Sequence, residues 1–248
     1  MYELNYCVPH SINYKFFDPI QFQLDLLKKS PVPMASYLKM DHLHLCGASM
    51  ERFIMKGGNT IISQPIKGTI KKGTSVEEDT ALISQLENSE KDRAENVMIV
   101  DLVRNDLNRV CKTGTVKVSE LFGIYSYLQV HQMISTVVGE LPKDYSLNEI
   151  LQATFPMGSM TGAPKIASMK HIEQLEDFKR GWYSGAIGYI TPENDFDFNV
   201  VIRSVLCDTN SKKLNYNAGG AITIDSDPES EWNEVQLKTK AITEVLSD

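Results

Sequence analysis

Apolar positions along this chain recur at two spacings, and each predicts its own kind of element. Short runs with near-alternating or continuous apolar character predict strands at Met34–Leu38, His42–Gly47 and Thr60–Ile66. Further strands are predicted at Thr115–Val118, Tyr125–Gln129 and Ile134–Glu140, and then at Tyr183–Thr191, Phe196–Leu206 and Lys213–Thr223. Helical spacing appears between them. Asp18-Pro19 opens a helix running through Leu27, with Asp as cap and Pro at a first-turn position. Two more helices are predicted at Val76–Leu86 and Arg93–Cys111. In the second, Val97, Ile99, Val100, Leu102, Val103 and Leu107 make a broad apolar side. Helices from Ser146 to Ala153, from Ala163 to Leu175, and after Asp227-Pro228 complete the set. Residues 1–8 read as an apolar helix or strand end, and so abrupt a start points to missing upstream material.

Strands and helices are mixed without regular βαβ alternation, and short connections near the C-terminus favour antiparallel pairing. The predicted class is therefore α+β, with antiparallel sheets packed face to face and helices outside. A chain of 248 residues suits one large domain or two small ones. No linker or repeat divides it, so residues 1–248 are taken as a single domain, the C-terminal catalytic part of a longer protein.

Charge narrows the function classes. The net charge is −7 and the pI about 5.3, and no Lys/Arg stripe exists, so nucleic acid is not an expected partner. Any anion must be held by a few local cations, backbone N–H groups or a metal. The four cysteines form no CxxC pair and read as reduced, mostly buried thiols. No apolar run is long enough for a membrane span and no signal peptide is visible, which predicts a cytoplasmic protein.

Several residues can carry chemistry, each with an ordinary structural alternative. Glu231, Glu234 and Lys238 share one face of the last helix. The two acids suit a hard divalent ion such as Mg²⁺, or simply compensate the helix dipole. Glu95 can complete such a site or be a solvated helix-end acid. The turn Gly158-Ser159-Met160-Thr161-Gly162 presents backbone to a carboxylate or phosphate, or is only a tight turn; it lacks the Walker spacing. Gly219-Gly220 admits close approach of a ligand to backbone. Lys67 follows an apolar strand. In apolar surroundings near other cations, with Lys71 and Lys72 as candidates, it becomes a nucleophile; otherwise it is a surface lysine. Glu51 can act as general acid and His131 as an orienting or proton-donating group. Arg203, among Val200, Val201, Ile202 and Val205, needs an anionic partner, either a substrate carboxylate or a structural acid.

Taken in order, Ser49–Phe53, Gln64–Thr69, Ala94–Asp106, Val130–Ser135, Phe155–Lys165, Tyr183–Tyr189, Ile202-Arg203 and 218–240 resemble the chorismate-utilising enzyme family. Lysine within Pro65-Ile66-Lys67-Gly68-Thr69 is similar to the aminodeoxychorismate synthase branch, whereas the anthranilate synthase branch usually has alanine there. By that resemblance Lys67 attacks ring carbon 2 of chorismate, Glu51 protonates the departing 4-hydroxyl, and ammonia adds at position 4. It further implies Glu95 and Glu234 on Mg²⁺ with Glu231 close by. Tyr189, Arg203, Gly219 and Gly220 would hold one carboxylate. Gly158, Ser159, Thr161 and Lys238 would close around the ring and the metal-bound carboxylate, and His131 would line the ring pocket. Met50 and Asn108 depart from the family's common proline and glycine. With no nucleophile elbow for a glutaminase, the ammonia is expected from a separate glutamine amidotransferase subunit. Anthranilate synthase component I and a catalytically silent chorismate-binding module are the alternative expectations.

Overall fold

The fold is taken from a computed structural model, which describes residues 1–247. In chain order the elements are β1 (Glu3–Asn13), α1 (Pro19–Lys29), β2 (Met34–Met40), β3 (Leu43–Ser49), β4 (Arg52–Gly57), β5 (Thr60–Gln64) and β6 (Ile66–Lys71). Then come α2 (Val76–Glu87), α3 (Glu90–Asn108), β7 (Lys117–Ser126), β8 (Val130–Glu140), α4 (Leu147–Thr154) and β9 (Gly162–Ala163). The chain closes with α5 (Lys165–Leu175), β10 (Ala186–Ile190), β11 (Phe196–Val200), β12 (Ser204–Asp208), β13 (Lys213–Ile222) and α6 (Pro228–Ser247). All the strand pairings whose registers are described are antiparallel, so the α+β class stands as the pattern predicts.

The chain forms two compact units, each assembled from separated segments. The first takes residues 1–50, 160–187 and those from 199 on. Its six-stranded sheet has the order β2-β3-β12-β13-β1-β9. Phe22 and Leu26 of α1 and Ile242 of α6 bury against Cys46, Ala48, Val205, Cys207, Leu214 and Tyr216 of that sheet. The helix stripes explain this. Phe22 and Leu26 are i, i+4, and Glu231, Val235, Thr239 and Ile242 are the buried line of α6. Asp18 caps α1, its carboxylate accepting from the Ile20 and Gln21 N–H groups.

The second unit takes residues 51–159 and 188–198. Its sheet has the order β10-β11-β4-β5-β8-β6, with β7 also paired to β8. β8 is thus enclosed by strands on both edges, and α3 packs on it through Ile99, Val100, Val103 and Leu107.

Several boundaries differ from the pattern. α3 begins at Glu90 rather than Arg93, because Ser89 caps it. It stops at Asn108 rather than Cys111, where the Arg109 N–H turns back to the Asp106 carbonyl. β8 begins at Val130 rather than Ile134, since polar His131 and Gln132 are buried by their strand neighbours. β4 carries no clear alternation and escaped prediction, and the ambiguous N-terminus is a long strand paired to β13. The expected strand Phe196–Leu206 is two strands. The chain turns at Ile202, whose N–H bonds the Val200 carbonyl, and Arg203 takes φ 49°. α5 starts at Lys165 rather than Ala163, because Gly162 and Ala163 pair with β1.

Candidate active site

Lys67 sits on β6 where the register with β8 shifts between Ile66 and Thr69. Gly68 follows at φ +88°, a conformation that glycine reaches without a Cβ penalty. Lys67 is only 9 % exposed, and its Nζ is 3.8 Å from Oε2 of Glu95. The surface-lysine alternative therefore does not describe it. Its charged neighbour is an acid rather than the cations expected. Lys71 is largely exposed and turns to Glu78, at 3.6 Å.

Glu95 is buried in the second turn of α3, in line with Ile99 and Val103, and so is not a solvated helix-end acid. Glu51 is also buried. It lines a cleft of the second unit together with Arg52, Ser63, Asp106, Ser159 and the Gly158 backbone. Arg52 is fixed beside it by a two-pronged bridge to Asp197, at 2.9 and 3.0 Å. His131 is fully buried on β8. Its Nδ1 is 2.8 Å from the Ser126 hydroxyl and its Nε2 is 2.8 Å from an Asp79 carboxylate oxygen. Tyr189 lies on the edge strand β10 and is exposed.

The first unit holds the other group. Lys238 donates to the Gly219 carbonyl at 2.8 Å and bridges to Glu234 at 2.6 Å, one helical turn away. Glu231 is buried, accepting from the Ser226 hydroxyl at 2.9 Å. A Cβ on Gly220 would stand 3.4 Å from Glu231 Oε2 and 3.9 Å from Lys238 Nζ, so this backbone faces the charged side of α6. Gly219 has a different reason to be small: a Cβ there would lie 2.2 Å from the Tyr6 carbonyl of β1. Burial holds the Arg203 guanidinium below its ordinary range, and Glu234 works against that shift. A non-glycine residue at positive φ is uncommon and marks a position held by its surroundings. Thr161 is buried, its carbonyl accepting from the Asn5 N–H at 2.9 Å. Among the described residues, no group of three or more His, Cys, Asp and Glu is gathered closely enough to hold a metal ion.

The second unit thus carries two buried acids and a buried lysine, and the first carries acids, a lysine and an arginine. A family model for chorismate binding enzymes matches residues 1–244. The chain belongs to the chorismate binding enzymes. It is 45% identical over 236 residues to a protein of Oryza sativa subsp. japonica named probable aminodeoxychorismate synthase, chloroplastic, covering 94% of this chain and 26% of that one. It is 43% identical over 225 residues to anthranilate synthase component 1 of Saccharolobus solfataricus, covering 91% and 53%. The solved structure of anthranilate synthase component I from Streptococcus pneumoniae TIGR4 superposes with a TM-score of 0.88 at 31% identity, over 98% of this chain and 53% of that one. The chain thus spans from about a quarter to about half the length of these relatives. Overall identity does not separate the two activities.

In this chorismate binding enzyme some polar groups escaped the sequence reading. Asp106 is a second buried carboxylate on the cleft that holds Glu51. Glu95, Ile99, Val103 and Asp106 form one i, i+4, i+8, i+11 line, so an acid on a buried stripe was the available signal. Asp79, the partner of His131, stood among Glu77 and Glu78 in a helical first turn, where acids are commonplace. No helix of the described residues is long and apolar enough to cross a membrane.

Proposed function

We propose that this chain carries the catalytic chemistry of an aminodeoxychorismate synthase component I, turning chorismate and ammonia into 4-amino-4-deoxychorismate through a lysine-linked intermediate. The observation that supports the reading is the burial of Lys67 beside Glu95, within the unit that also holds Glu51 on its cleft. A buried lysine has no solubility role, and an amine is a nucleophile once it has shed a proton. In this reading Lys67 forms a bond to ring carbon 2 as the 4-hydroxyl leaves, taking the proton of Glu51 to depart as water. Ammonia then bonds at position 4 and the lysine is expelled, which restores the ring's double bonds and frees Lys67. His131 serves as a proton-handling group whose two ring nitrogens are engaged by Ser126 and Asp79.

The remaining predicted residues serve binding. In the first unit Arg203 and the Gly219-Gly220 backbone take one substrate carboxylate. Thr161 and Lys238 of that unit take the other carboxylate, and Gly158, Ser159 and Tyr189 are the second unit's binding residues. Mg²⁺ is commonly held by one or two carboxylates together with substrate oxygens, and Glu231 and Glu234 lie one helical turn apart, so these hard donors suit it in kind. Held by these two, Mg²⁺ would offset charge on a bound substrate carboxylate. Ammonia would come from a glutamine amidotransferase subunit.

The test is incubation with chorismate, Mg²⁺ and ammonium. The expected product yields 4-aminobenzoate only after a lyase is added, and anthranilate formed directly would overturn the assignment. Lys67→Ala should lower turnover by about a thousandfold or more and abolish any adduct seen by intact mass when chorismate is supplied without ammonia. Full ammonia-dependent turnover in Lys67→Ala would end the covalent mechanism.

A further inference from the structure

His131 has no exposed surface, yet both ring nitrogens are engaged. Asp79, in the first turn of α2, meets Nε2 at 2.8 Å, and the same carboxylate oxygen accepts the Gly73 N–H at 2.7 Å. The hydrogen bond from His131 and then the one from Gly73 hold the Asp79 carboxyl below its usual range. Asp79 is therefore an acceptor only at neutral pH, and the proton between the two groups belongs to Nε2. A neutral imidazole carries one proton, so Nδ1 then offers a lone pair. Ser126 is paired with His131 across the β7–β8 ladder, and its hydroxyl lies 2.8 Å from Nδ1. Unlike His131, Ser126 is an exposed residue.

We propose that Asp79 is a positioning residue that fixes the tautomer of His131, and that Ser126 is the outer end of a relay through which the buried imidazole exchanges its proton. As a proton arrives at Ser126 Oγ, the serine's own proton passes to Nδ1, leaving an imidazolium held by Asp79. The reverse transfer returns a proton to an acceptor oxygen of water or a bound ligand. Two O–H and N–H bonds exchange, and no electrons are gained or lost. The sequence places these residues at positions 79, 126 and 131, on three elements, so only the pairing of β7 with β8 and the packing of α2 bring them together. The effect on turnover rests on the function proposed above, whereas the tautomer does not.

The experiment is nitrogen NMR of the His131 ring in the full chain. The wild-type protein should show a protonated Nε2 and an unprotonated Nδ1. Asp79→Asn, which keeps an acceptor oxygen, should hold that tautomer, and Asp79→Ala should release the ring to a mixture of both. A wild-type ring protonated on Nδ1, or a tautomer untouched in Asp79→Ala, overturns the role of Asp79. Ser126→Ala should move the Nδ1 resonance towards that of an unbonded lone pair, and an unmoved resonance removes Ser126 from the relay. In the chorismate assay Ser126→Ala should lower kcat by about a hundredfold with KM little changed. If His131→Ala loses activity and Ser126→Ala keeps it, the relay is wrong. If the wild-type chain does not turn over chorismate, the proposed function fails while the NMR still decides the relay.

Discussion

At Lys67 the backbone and its neighbours decide what the side chain means. In the sequence it is one lysine near two others, and its partner in space is Glu95. Cys7, Cys46 and Cys111 make the opposite case, since sequence alone read them as reduced, mostly buried thiols, and all three are free, with Cys7 and Cys46 buried. Burial pushes the Cys7 and Cys46 thiols up to about 12 and the Cys111 thiol up to about 11. The reactive species is the thiolate, so little is available at neutral pH. Native protein at pH 8 should therefore alkylate slowly with iodoacetamide at these three cysteines and rapidly once unfolded, as peptide mass spectra would record. Fast native labelling of Cys7 or Cys46 would contradict their burial.

Among elements, helices were the more legible, because an apolar stripe at helical spacing survives any tertiary arrangement that covers it. Strand boundaries were less so. Polar His131 and Gln132 lie inside β8 only because β6 and β7 flank it, and no local pattern announces that. The division of β11 from β12 depends on Arg203 at positive φ, a conformation its residue type does not advertise. β6 provides a direct test of how an element sets the site. A Cβ on Gly68 would add strain at φ +88° and stand 3.0 Å from Asp92 and Leu86 side-chain atoms. Gly68→Ala should lower stability by about 1–2 kcal/mol, seen as a lower denaturant midpoint, and should reduce turnover by displacing Lys67. Unchanged stability would mean that this turn accepts a Cβ.

For the molecule as a whole, acid sensitivity follows from depressed carboxyls. Asp79 is held down chiefly by His131, and Asp195 chiefly by Lys56 at 2.7 Å. An acid whose folded pKa lies below its unfolded value of about 3.9 contributes stability above that value. The contribution is lost as pH falls through the folded pKa. The carboxyl contribution to denaturant midpoints should thus be lost below about pH 4, less steeply in Asp195→Asn. A midpoint that does not fall below that pH would refute this linkage.

By itself the sequence determined the α+β class, most helices and the antiparallel character, because periodicity and caps are local properties. It also carried the family resemblance, through motifs in order from Ser49 to Lys240. Only the tertiary structure decided that the chain forms two units from interleaved segments, that Glu95 rather than another lysine stands beside Lys67, and that Asp79 and Ser126 bracket His131. Those facts depend on which distant strands pair and which faces they bury, and no spacing along the chain encodes a partner many residues away.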